Sequence, residues 1–175
     1  MSLWRRIFPS ASPNGDDDGS GDTESVRRIA ARLAKLPPED ARFLAAFAYV
    51  MARLANADLE IDETESREME RLVAETAGLD AEEAALAVEI AKSQTRLLGG
   101  TENYVVTREF RRVSSPSERA RLVECLYAVA AADRWITNVE TTEIAAIADE
   151  LGLAREELAA VRSRYRDKIA ALRPR

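Results

Sequence analysis

The segment Arg53 to Glu65 recurs as Ala128 to Glu140, and this internal duplication constrains the fold more than any other feature of the chain. Asp58 lies over Asp133, Ile61 over Ile136 and Glu65 over Glu140. The match runs outward, with Phe47, Val50, Met51 and Leu54 over Leu122, Cys125, Leu126 and Val129. After one deletion in the second copy, Gly78, Leu79, Glu82 and Glu83 lie over Gly152, Leu153, Glu156 and Glu157. A unit repeated in this way buries its apolar face against its twin, so the two copies are expected to share one core.

The apolar spacing inside and around each copy is helical. Val26, Ile29, Ala30 and Leu33 form one stripe, and Phe43, Phe47, Val50, Met51 and Leu54 form a second beyond Pro37 and Pro38. Met69, Leu72, Val73 and Thr76 lead to Gly78, and Leu86, Ile90 and Leu97 lead to Gly99 and Gly100, where a glycine can close a helix in the left-handed conformation. The stretch through Tyr104, Val105, Val106 and Phe110 reads as less regular. Ser115, Pro116 and Glu118 then stand in the order cap, first-turn proline and capping-box acid. The last two helices are predicted through Ile144, Ile147, Ala148 and Leu151, and through Leu158, Val161, Tyr165, Ile169 and Leu172. The prediction is all-α: a single helical bundle of roughly seven to eight helices with an internal duplication of a helix-turn-helix unit. At 175 residues the chain suits one core. Residues 1–22 are expected to be a flexible tail with a short amphipathic tip, and residues 23–175 the domain.

The chain has no histidine, which removes the usual general base, the usual zinc ligand and every Ser-His or Cys-His nucleophile pair. Its one cysteine, Cys125, sits in the apolar run Leu122, Val123, Leu126 and Val129 and reads as a core residue suited to a reducing compartment. A net charge of −6 argues against nucleic-acid binding, which needs cations to replace counterions on phosphates. No segment reaches the ~18 to 20 apolar residues that span a bilayer, so a cytoplasmic location is expected. Leu3, Trp4, Ile7 and Phe8 beside Arg5 and Arg6 form a basic, amphipathic tip suited to the anionic inner face of a membrane.

In each copy a helix ends in Ala-Asp, a short turn buries Ile61 or Ile136, and the next helix opens at Asp62 or Thr137 with Glu65 or Glu140 three residues on. That pairing has the spacing of a capping box. Asp58 and Asp133 oppose a helix dipole at the preceding C-terminus, so each either accepts turn amides or holds a cation. Trp135, beside Asp133, is either a core plug or a contact residue. An EF-hand is excluded because Leu54 and Val129 occupy the first liganding position and the sixth lacks glycine.

The repeated Asp, Ile and Glu, each followed by an amphipathic helix and Gly-Leu-x-x-Glu-Glu, resemble the TerB-like (tellurite-resistance TerB) family over about Phe43 to Tyr165. The resemblance implies an all-helical, non-enzymatic module linked to tellurite, metal or envelope stress. It also implies a metal site, which by position would be Asp58, Glu65, Asp133 and Glu140. The family's glycine after the aspartate is replaced here by Leu59 and Arg134. An all-carboxylate set would select Ca, Mg or Mn over Zn or Cu. A protein partner is expected. The alternative is an all-helical, magnesium-dependent nucleotide pyrophosphohydrolase, for which Glu65 with Glu68 and Glu140 with Glu143 would supply paired carboxylates on one helix face.

Overall fold

From Ala41 to Leu54 almost every side chain is small or apolar, and such a helix can only be stable with neighbours on all sides. In the computed structural model, which describes residues 20–55, 63–97, 103–132 and 135–169, this segment is the central helix α2 (Pro38–Ala55). Phe47, Ala48 and Val50 are fully buried, and α2 packs on four other helices. Before it comes α1 (Ser20–Leu33), and after it α3 (Glu63–Ala77), α4 (Ala81–Leu97), α5 (Asn103–Val113), α6 (Pro116–Ala132), α7 (Asn138–Leu151) and α8 (Arg155–Arg164). A 3-10 turn, Arg166–Lys168, follows, and Ile169 ends the described chain. The all-α bundle of the sequence reading is therefore what the chain forms, with eight helices among the described residues.

The duplication is visible as α2, α3 and α4 against α6, α7 and α8. Both copies turn on a left-handed glycine, Gly78 at φ 72° and Gly152 at φ 75°. After each glycine a glutamate accepts from a backbone N–H at the next helix start: Asp80 N to Glu83 at 3.0 Å, and Ala154 N to Glu157 at 2.9 Å. Only the first copy completes the box, because Asp80 returns a bond from Glu83 N at 2.8 Å and Ala154 has no side-chain oxygen to do so. The copies interlock, since α3 packs on α6 and α2 on α7.

Two elements differ from the sequence reading. The stretch around Tyr104 to Phe110 is a helix, α5, despite its β-branched Val105, Val106 and Thr107. Val106 and Phe110 lie one turn apart and are buried, and Phe110 meets Phe43 and Phe47 of α2 at ring-centroid distances of 5.3 and 6.1 Å. Tertiary packing here outweighs weak local propensity. The final helix stops at Arg164, so Tyr165 and Ile169 are not on it. Tyr165 turns the chain to stack on Tyr127 of α6 at 5.6 Å. Ile169 forms a parallel bridge with Ile136, whose N–H donates to Lys168 O at 2.8 Å. At the front, α1 opens at Ser20, slightly before the boundary expected at Thr23. The tip with Trp4, Ile7 and Phe8, and Leu172, lie outside the described residues.

Candidate functional site

Of the four acidic residues expected to form a site, Glu140 alone has a described side chain. Asp58 and Asp133 lie outside the described residues, and Glu65 is placed only as part of α3. Glu140 does what its spacing predicts. Thr137 sits in extended conformation as the cap of α7, and Glu140 N–H donates to its hydroxyl at 3.2 Å. In return Glu140 Oε2 accepts from Thr137 N–H at 2.7 Å and from the Thr137 hydroxyl at 2.8 Å. Both bonds fall on one carboxylate oxygen, so the cap leaves Oε1 for another donor or a cation. Just before it, Ile136 is fully buried and Trp135 is half-buried.

Beneath this turn lies a constellation that the sequence reading did not single out. Arg53, in the last turn of α2, has a side chain only 7% exposed. Its Nε and Nη2 donate to Glu143 Oε1 at 3.1 and 2.8 Å, and Nη1 donates to Glu150 Oε2 at 2.6 Å. Nη1 also donates to the hydroxyl of buried Thr107 at 2.6 Å. The planar guanidinium thus joins α2 and α5 to two carboxylates one turn pair apart on α7, a geometry that lysine cannot reproduce. The duplication held a signal for it: Arg53 lies over Ala128, so one copy carries a cation where the other carries a small core residue.

The second members of the paired carboxylates are accordingly engaged by arginines. Glu143 is held by Arg53, and Glu68 pairs at the surface with Arg71 at 2.6 Å, which holds its carboxyl below the usual range. While so paired, neither is a ready metal ligand. Among the described residues no three acidic or sulfur side chains converge as a metal site would require. Cys125 is fully buried, and desolvation pushes its thiol up to about 12, so it is protonated and shielded at neutral pH.

The C-terminus of α7 is closed from outside the helix. Its last turn has no basic residue, but Arg119 donates to Leu151 O at 3.2 Å and Arg111 to Glu150 O at 3.4 Å. Cations at this end complement the helix dipole.

These features define an all-helical domain made of two interlocked helix-turn-helix units, each closed by a left-handed glycine and tied together by a buried arginine. The chain belongs to the TerB family: the family model described as "Tellurite resistance protein TerB" matches residues 43–163, from α2 into α8 and across both copies of the unit. No curated protein sequence and no solved structure matches the chain significantly. No helix among the described residues is long and apolar enough to cross a membrane.

Proposed function

We propose that this TerB-family domain is a non-enzymatic binding or scaffold module in which the two acidic turns hold a hard divalent cation, serving tellurite, metal or envelope stress. The observation that carries the reading is the family match itself, which spans both copies and so includes Asp58, Glu65, Asp133 and Glu140. The donor chemistry fits: these are oxygen ligands suited to Ca, Mg or Mn, and Glu140 can offer Oε1 without giving up its cap. The non-enzymatic reading is supported by the absence of histidine and by a cysteine too buried and too weakly acidic to act as a nucleophile. A melt of EDTA-stripped protein with Ca, Mg or Mn added tests the cation site, because a cation bound only by the folded state raises its stability. A concentration-dependent rise that is lost in Asp58→Asn with Asp133→Asn is the expected result. A flat series, with that variant folded, would remove the metal from the proposal.

The location proposed is the cytoplasm, at the inner membrane face, reached through Trp4, Ile7 and Phe8. Deleting residues 1–19 is expected to release the protein from anionic vesicles while leaving the melting temperature of the helical domain unchanged. Equal sedimentation of both forms with the vesicles would count against that contact.

A further inference from the structure

Beyond residue 163, where the family match ends, α8 stops and residues 165–169 run back to the turn that carries Glu140. Tyr165 stacks on the Tyr127 ring of α6 at an interplanar angle of 14°, and its neighbour Arg164 pairs with Glu124 of the same helix. Lys168 O then accepts the Ile136 N–H at 2.8 Å, and Ile169 bridges Ile136 with both side chains buried. The next amide, that of Thr137, goes to Glu140 Oε2 at 2.7 Å. Two successive amides of the turn are thus satisfied, one from within it and one by the returning segment.

Aligned on Gly78 and Gly152, residues 165–169 correspond to residues 91–95 of the first copy, and those stay inside the unbroken helix α4. There a side chain makes the tie: Lys92 donates to Ser66, beside Glu65, at 2.6 Å. The second copy uses a backbone segment outside the α-helix, and little else holds that segment. Arg166, Asp167 and Lys168 are exposed, so its grip on the core is the Tyr165 ring and the Ile169 side chain. A segment held at two points can open without unfolding the helices beneath it.

We infer that residues 165–169 are a strap whose docking on Ile136 sets the cation affinity of the second acidic turn, so that cation binding and strap closure reinforce each other. Ile136 lies between Asp133 and Glu140 in the chain, and the strap fixes the backbone there through both its amide and its side chain. When the strap opens, the Ile136 amide loses its acceptor and the turn is free to reorient, so an arriving ion must also order its ligands. Lys168 and Ile169 give the ion no ligand; they are positioning residues. Linkage makes the effect reciprocal: whatever factor the strap adds to cation affinity, the cation adds to strap closure. The inference rests on the cation reading of the turns and adds a regulation that belongs to the second copy.

The test uses the full chain carrying Trp4→Phe, which leaves Trp135, in the turn itself, as its one tryptophan. Calcium is titrated into EDTA-stripped protein and followed by Trp135 fluorescence, and amide exchange at Ile136 is measured with and without the ion. In EDTA, Ile136 should exchange faster than Ile144 and Ile147 of α7, because the strap opens alone. Saturating calcium should slow Ile136 exchange about tenfold or more. In Ile169→Asp, whose carboxylate cannot stay in the buried site, calcium affinity should fall by about the same factor, and Ile169→Val should restore it. Ile136 exchanging as slowly as α7, or unmoved by calcium while Trp135 responds, would overturn the strap and leave the cation reading standing. Undiminished calcium affinity in Ile169→Asp, with the α7 amides still protected, would do the same; if that variant does not fold, exchange in the parent chain decides. A Trp135 signal and a melt both indifferent to calcium would instead remove the cation reading, and this inference with it.

Discussion

Arg53 shows what one side chain contributes to this bundle. Its guanidinium is almost out of water, whereas Glu143 and Glu150 remain 34% and 22% exposed. Removing the arginine therefore leaves two carboxylates that can rehydrate, so the cost is nearer that of lost charged hydrogen bonds than of a stranded buried ion. Arg53→Met should lower the unfolding free energy in urea by about 2 kcal/mol, and Arg53→Lys should recover only part of it, since lysine presents a point charge where a fork is needed. An Arg53→Met chain as stable as the parent would show the network to be without net effect. The arginine itself was readable as an exception in the repeat alignment, but its partners were not. Thr107, Glu143 and Glu150 lie 54, 90 and 97 residues away, and no local period links them to it.

At the scale of the element, termini were easier to read than interiors. The order Ser115, Pro116, Glu118 does cap α6, with Ser115 N–H donating to Glu118 at 2.6 Å, and Thr137 with Glu140 caps α7. These are contacts over three residues, set by chemistry within one turn. The helicity of α5 was not readable, because it depends on Phe43 and Phe47 of another helix. The paired glycines give a contrast that sequence alone does not. A Cβ at Gly152 would stand 2.8 Å from the Arg111 guanidinium, whereas at Gly78 the nearest atom, on Arg121, is 3.4 Å away. Both substitutions meet the left-handed penalty of about 1–2 kcal/mol. Gly152→Ala should cost more than Gly78→Ala, because Arg111 must also swing away from Glu150 O, and Arg111→Ala should narrow the difference. Equal losses in thermal melts of the two alanine variants would refute this account of the α7 terminus.

Over the whole molecule, neither copy closes its own core. Helix α3 rests on α6 of the other copy and α2 on α7, and the Arg53 clamp crosses the same divide. A fragment of residues 20–100, although it holds a complete unit, should therefore lack a cooperative urea transition, while residues 20–175 should unfold in one step. A sigmoidal transition of the fragment alone would mean that the interlock is dispensable. The asymmetry between copies belongs to this scale as well: among the described residues α1 packs on α4 of the first copy, whereas α5, which precedes the second copy, packs on α2 and α7.

By itself the sequence determined the helical class, the duplication, the caps and most of the core, because each depends on residues within a turn or two, or on self-comparison. Ile136, Ile144, Ile147 and Leu151 are all fully buried, as their periodicity requires. Only the tertiary structure decided that Arg53 would find Glu143 and Glu150, that Ile169 would leave the last helix to pair with Ile136, and that α5 would pack on α2 and α7. Those outcomes depend on which helix of one copy crosses which helix of the other. Identical local patterns in the two units cannot specify that choice; it comes from the few positions where the copies differ.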